Sequence, residues 1–322
     1  MSSPDAFALF YVALTVSAPT FGWVVLGLLL RRFGLLSENI IELVSQLAFR
    51  FGLPAMLFAS AAQVDYSTLA SARYLLAGTL ATFLTLALAW LYSYWRGHPR
   101  ALQGIFVQAA YRSNLAIIGL ALAVAAYGDQ GLLLAALPVA LLTVLYNILA
   151  VWVLNTTLAA GTSVATILVG IARNPLIIGI SAGILLALSG WPVPEFVAPM
   201  GALLSTFFLP FMLLCIGGAM QLANLRRTGS ITWEATAWRL CVGPLLAVLV
   251  ALLMGVRGEP LGVLFLLMSS PVAAASFVMV LAAKGDGVLA ANIVVLTTLL
   301  SIVTVTAGFF LLTLFSLVGH PG

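Results

Sequence analysis

Apolar residues in this chain run in long blocks, separated by short polar or Gly/Pro-rich breaks. Blocks of ~20 apolar residues are the length of a helix that crosses a bilayer. Cut at their breaks, they predict ten helices: Phe7–Leu30, Ile40–Ala62, Arg73–Trp95, Ala101–Ala126, Gln130–Leu154, Asn174–Ser189, Glu195–Leu222, Thr232–Val256, Leu261–Ala283 and Val288–Val318. The segment Ser163–Arg173 either begins the sixth helix or lies along the membrane surface before it. Asn174-Pro175 then reads as an N-cap followed by a first-turn proline.

Composition turns a helical pattern into a membrane one. The 322 residues are 63% hydrophobic and 7% charged, against about 25% charged in a soluble protein. Such a chain cannot clothe a water-facing surface, so the expected class is an all-α integral membrane protein. Ten spans take ~200 residues and leave ~12 for each connection, too few for a nucleotide-binding domain. A G-x-x-x-x-G-K-[ST] stretch is absent and Lys284 is the only lysine, which excludes an ATP-driven pump unless a partner subunit carries the motor. Cys215 and Cys241 fall inside apolar runs and imply neither a disulfide framework nor a metal site. The first block is long enough to span and lacks the basic start of a cleaved signal, so it reads as a helix.

Charge sets orientation. The 13 Lys+Arg over 9 Asp+Glu read as topology charge rather than a nucleic-acid surface. Odd-numbered connections hold Arg31, Arg32, Arg96, Arg100, Arg173, Arg226, Arg227 and Lys284; even-numbered ones hold Arg73 and Arg257. This bias puts the odd connections in the cytoplasm and both termini outside. Arg50, Arg112 and Arg239 sit within helices and stand outside that count.

The halves repeat. Pro19 and Gly27 match Pro175 and Gly183, and Leu53-Pro54-Ala55-Met56-Leu57 matches Leu209-Pro210-Phe211-Met212-Leu213, all 156 apart. Ala125-Ala126-Tyr127-Gly128-Asp129 matches Ala282-Ala283-Lys284-Gly285-Asp286 at 157. Residues 1–158 and 159–322 thus read as two five-helix repeats. Five is odd, so the second enters from the opposite face, an inverted-topology 5+5 repeat shared by many secondary transporters.

Transporters of this build bind substrate near the midplane, where helices are interrupted. Tyr111-Arg112-Ser113-Asn114 interrupts the fourth helix, and Ser269-Ser270-Pro271 stands at the equivalent place in the ninth. In the repeat alignment Ser113 matches Ser270 and Asn114 matches Pro271. Ser and Asn are N-cap types and Pro suits a first helical turn, so both sites predict a helix that stops and restarts. Restarted halves offer amide N–H groups and positive dipole ends, which favour an anion. Arg112 lies about 16 Å from either end of its helix at 1.5 Å per residue, too far to snorkel. A charge there costs at least ~2.5–3.5 kcal/mol and marks either a site or an arginine tied to carbonyls freed by the break. Gln108, one turn earlier on the same face, adds a donor and acceptor or an interhelical contact. Arg50, four residues before Pro54, lines the same cavity or pairs with Glu42. Thr143, Tyr146 and Asn147 in the fifth helix, and Thr297, Thr298, Ser301 and Thr304 in the tenth, form polar faces that either join helices or line a cavity.

With these residues in view, the chain resembles the auxin efflux carrier family, which includes bacterial transporters and, more distantly, plant auxin efflux facilitators. The resemblance rests on Gln108-Ala109-Ala110-Tyr111-Arg112-Ser113-Asn114-Leu115-Ala116, on Arg173-Asn174-Pro175-Leu176-Ile177-Ile178, and on the Leu-Pro-x-Met repeats at Pro54 and Pro210. It implies ten helices with the fourth and ninth broken and crossing. It also implies a scaffold of helices 1, 2, 6 and 7, a moving domain of helices 3–5 and 8–10, elevator-like alternating access, and often a homodimer through the scaffold. The crossover would fall at Ser113/Asn114 and Ser270/Pro271, with Asn114 where a second proline is expected. Bacterial relatives are linked to small carboxylates.

The expected function is a secondary transporter of a small organic anion, a carboxylate or auxin-like weak acid, in the bacterial inner membrane. A passive anion channel on the same cavity is the alternative. The expected site comprises Arg112, Ser113, Asn114, Ser269, Ser270, Pro271, Gln108 and Arg50. No cofactor is expected. Helices four and nine carry no Asp or Glu, so a carboxylate sodium site of the kind in the related bile-acid symporters is not supported, leaving H+ or differently held Na+ as the coupling ion. An enzyme is not expected: His98 and His320 lie in a loop and at the tail, and neither a helix-borne Asp pair nor H-E-x-x-H occurs.

Overall fold

A computed structural model describes residues 6–63, 70–158, 169, 172–173, 175–219 and 229–319. Helices run where the apolar blocks place them. The first block is α1 (Ala6–Arg32). The second is α2 (Glu38–Leu47) and α3 (Leu53–Ala62), joined by a π-helical turn at Ala48–Gly52. The third is α4 (Ala70–Trp95). The fourth stops as α5 (Arg100–Tyr111), then restarts through a π-turn at Leu115–Gly119 into α6 (Leu120–Leu158). Next come α7 (Pro175–Leu188) and α8 (Val197–Ala219). The eighth block is α9 (Ser230–Ala237) and α10 (Gly243–Leu253) about a third π-turn, Trp238–Val242. The ninth stops as α11 (Glu259–Ser269) and restarts as α12 (Ala274–Ala282), and α13 (Gly287–Leu314) follows. Most of the Ser163–Arg173 segment, the proposed Asn174 cap, Arg226, Arg227 and His320 lie outside the described residues.

Among the described residues, five helical segments are long and apolar enough to cross a membrane: Arg73–Trp95, Leu115–Leu158, Val197–Gly218, Ser230–Leu253 and Gly287–Leu314. The second of these would be ~66 Å long as a straight rod at 1.5 Å per residue. It is not straight: Gly128 takes a positive φ of 56°, open to glycine without steric cost, and the chain returns to bring Tyr146 and Asn147 back to Arg112. The outward face of α4 exposes Leu76, Leu80, Phe83, Leu84, Leu88 and Leu91, a stripe that needs lipid to cover it.

Local sequence explains two of the three π-turns. Pro54 and Pro244 each stand second in the helix that follows one. A helical proline lacks its N–H and presses on the carbonyl four residues back; one extra residue in the turn absorbs the conflict.

Helices gather in two sets joined where α1 packs on α13. α1 packs on α8 and α3 on α7 and α8, while the broken helices α5–α6 and α11–α12 pack on each other, with α4 on α5 and α10, and α10 on α11. In the first set, Gly27 of α1 lies against Leu214 of α8, and Gly183 of α7 against Phe58 of α3. A Cβ at either glycine would overlap the facing backbone. The two contacts differ by the same 156 residues on both partners (183 − 27 and 214 − 58).

Candidate substrate site at the helix crossover

The fourth and ninth helices are broken at one place in space. Ser113 and Asn114 compete for backbone hydrogen bonds and disfavour helix interiors, and the backbone opens at Arg112 (φ −85°, ψ 94°) and Asn114 (φ −83°, ψ 70°). Opposite, Ser270 is extended (φ −61°, ψ 150°), as the residue before a proline must be. The two short segments cross antiparallel, the only extended pairing among the described residues. Asn114 N donates to Pro271 O at 2.7 Å and Ala273 N to Arg112 O at 3.4 Å, while Val272 N donates to Thr297 Oγ1 at 3.2 Å. Ser113 meets Val272, not Ser270, its match in the repeat alignment, because the contact register of crossing segments differs from their equivalence under the repeat.

Both stopped ends are sealed. The last carbonyls of a helix have no intrahelical partner, and here side chains supply one. Ser270 Oγ donates to Leu267 O at 2.8 Å and Ser269 Oγ to Leu266 O at 3.4 Å. Arg239 joins the two ends: its Nη1 donates to Tyr111 O at 2.7 Å, and its Nη2 to Met268 O. Tyr111, Met268, Ser269, Ser270 and Arg239 are all buried. Gly243, one turn after Arg239, makes the room, since a Cβ there would sit 3.3 Å from Arg239 Nη2.

The restarted ends are open by comparison. Ala116 and Ile117 are half-buried, and Ala274 and Ala275 are exposed, in first turns whose amides have no intrahelical acceptor. Arg112 belongs to this side. Its Nη1 donates to Tyr146 O at 3.2 Å and to Met279 Sδ at 3.1 Å, and its Nη2 to Asn147 Oδ1 at 2.7 Å. Gln108 Nε2 lies 3.9 Å from the same sulfur. A narrow crevice of about 10 Å³, room for roughly one water, is lined by Gln108, Ile105 and Ala109 of α5, Val272, Ser276 and Val280 of the ninth helix, and Ala290 and Ile293 of α13. Ser276 Oγ in this lining and Asn292 Oδ1 on α13 are buried with no hydrogen-bond partner, as are Tyr111 Oη and Arg239 Nε at the stopped ends.

The electrostatics of the two sides differ. Neither Arg112 nor Arg239 has a carboxylate partner among the described residues, where Glu234 pairs with Arg96 and His98 at 3.0 Å. Arg239 faces the negative ends of two half-helices, which compensate it. Arg112 is held by neutral partners alone and has no counter-charge among the described residues. No group of three or more metal-ligating side chains occurs among the described residues.

A family model described as membrane transport protein matches residues 12–308. The chain belongs to the auxin efflux carrier family of membrane transport proteins. No individually curated protein matches it.

In this auxin efflux carrier family member, the residues marked from sequence divide by side. Arg112, Ser113, Asn114 and Gln108 come together on the open side or at the crossing, with Ser113 Oγ 3.2 Å from Tyr146 Oη. Ser269, Ser270 and Pro271 lie at the crossing too and are buried like the other four, but both serine hydroxyls are bound to carbonyls of their own helix. Arg50 is exposed in the first π-turn, which packs on α7 and α8; the side chain of Glu42, its suggested partner, lies outside the described residues. In the tenth helix, Thr297, Thr298, Ser301 and Thr304 donate to carbonyls of their own helix, and Thr297 also secures the crossover. Sequence reasoning missed Arg239, although a lone arginine in an apolar block, followed by Gly243-Pro244, was the available signal. It also missed Ser276 and Met279, which nothing in their apolar surroundings marks.

Proposed function

We propose that this chain is a secondary transporter that moves a small organic anion, a carboxylate or auxin-like weak acid, across the bacterial inner membrane. One observation carries the reading: Arg112 is a buried guanidinium at the helix crossover, held only by the neutral groups of Tyr146, Asn147 and Met279 and without a carboxylate partner among the described residues. A charge in that position needs a counter-charge, and a substrate carboxylate supplies it on arrival. Gln108 and the unpartnered Ser276 hydroxyl hold its polar remainder, and the apolar wall of the crevice limits its size.

Movement follows from the two sets of helices. Helices 1, 2, 6 and 7 form a scaffold, and helices 3–5 and 8–10 carry the crossover past it in an elevator-like step, with the two five-helix halves as inverted repeats and both termini outside. The tight glycine contacts at Gly27 and Gly183, related by one offset, support a rigid scaffold built from equivalent parts. A homodimer through that scaffold would anchor it against the moving domain.

The test is a thermal-shift screen of the purified protein against mono- and dicarboxylates, followed by counterflow of any stabilising acid in proteoliposomes. Saturable binding with counterflow is expected. A linear flux with large single-channel conductance would contradict a carrier and favour a passive anion channel. Absence of stabilisation by every acid would remove the anion reading.

A further inference from the structure

The two interrupted helices create four half-helix ends, of which two face the crossing with positive character and two with negative. The positive pair is the substrate side of the proposal above. The negative pair raises a separate question, because stopped ends with freed carbonyls are where membrane transporters commonly hold a coupling cation. In this chain the place is taken. Arg239 Nη1 donates to Tyr111 O, the last residue of α5, and Nη2 to Met268 O, in the last turn of α11. One planar fork thus spans both ends, a geometry open to arginine but not to a point-charge ammonium.

The surroundings are shaped for this arginine. It is wholly buried, and the π-turn Trp238–Val242, set up by Pro244, carries it. Gly243 leaves the guanidinium its space, being 3.3 Å from Nη2 and 3.4 Å from Ala110 O at the position its Cβ would occupy. Ser269 and Ser270 donate to the Leu266 and Leu267 carbonyls, so two more of the carbonyls freed at the stopped end of α11 are already taken.

We infer that Arg239 is a resident cation: it closes the two negative half-helix ends permanently and replaces the metal cation that such ends would otherwise bind. The inference rests on the transporter reading for its meaning, and it narrows coupling. Sodium has no role at the crossover, so a driving ion that acts there is a proton or travels with the substrate. Arg239 is a positioning residue, fixing the angle at which Arg112 and the restarted ends meet the substrate.

The test needs no organic anion, so it stands or falls apart from substrate identity. The unfolding midpoint of the detergent-solubilised protein is measured in NaCl and in choline chloride at equal ionic strength, for wild type, Arg239→Lys and Arg239→Ala. Wild type is expected to show the same midpoint in both salts. Arg239→Ala is expected to lose several degrees and to regain part of them, saturably, with millimolar guanidinium or with sodium entering the vacated place. Arg239→Lys should fall between, since one ammonium cannot span both carbonyls. Such rescue separates an occupied cation position from a merely structural contact. A saturable sodium stabilisation of wild type would overturn the inference, and this arm does not depend on any variant folding. So would an Arg239→Ala protein whose midpoint neither falls nor responds to guanidinium or sodium.

Discussion

The stopped and restarted ends of the broken helices are made from the same four peptide segments, yet the protein treats them oppositely. At the stopped ends every available device seals the backbone: serine hydroxyls turn back on their own carbonyls, and Arg239 bridges the last carbonyls of α5 and α11. At the restarted ends the first turns keep exposure, and Arg112 is held by neutral partners alone. Burying a charge against opposing dipoles stabilises; burying one without a counter-charge costs, and persists only if something else repays it. On the proposed reading, the difference separates a structural arginine from a substrate-binding one.

Exchange of each arginine for methionine breaks this comparison most directly. Arg239→Met orphans two buried carbonyls, at about 1–3 kcal/mol each, and should lower the unfolding midpoint steeply. Arg112→Met removes an uncompensated charge and should cost far less stability, or none. Equal losses by thermal unfolding would erase the distinction. A smaller effect is expected from Gly243→Val, which crowds the Arg239 fork without removing it; overpacking of this kind costs about 1–3 kcal/mol, and a variant as stable as wild type would show that the fork is not tightly held. The smallest stability effect belongs to Ser276→Ala. Its hydroxyl has no partner to lose, so the midpoint should hold or rise, while affinity for the stabilising acid in the thermal-shift screen falls. A lowered midpoint with unchanged affinity would make Ser276 a structural group instead.

Much of the fold was legible because apolar block length and helical breaks are written locally. Pro271, Ser113 and Asn114 announce an interruption whatever surrounds them, and Arg112 announces itself by depth. Arg239 obeys the same depth argument and went unused because its helix is not interrupted; the π-turn that accommodates it is absorbed within one apolar block. Which hydroxyls face inward was not legible at all. Ser269 and Ser270 look as available in sequence as Ser276, but a serine in the last turn of a helix can reach back three residues to a freed carbonyl, and these two do. Ser276 Oγ makes no such bond, although Ser276 sits in a restarted half much like its neighbours. The Met279 sulfur that joins Gln108 to Arg112 depends on how α5 and α12 cross, which only tertiary structure fixes.

The central claim is that Arg112 exists to meet a substrate anion. Uptake of the stabilising carboxylate into proteoliposomes, compared between wild type and Arg112→Gln at matched amounts of folded protein, tests it most directly. Loss of a buried charge-assisted contact is worth about 2–5 kcal/mol, so the variant should take up the acid at least ~30-fold more slowly while unfolding at a similar temperature. Uptake at the wild-type rate by a folded Arg112→Gln protein would contradict the account.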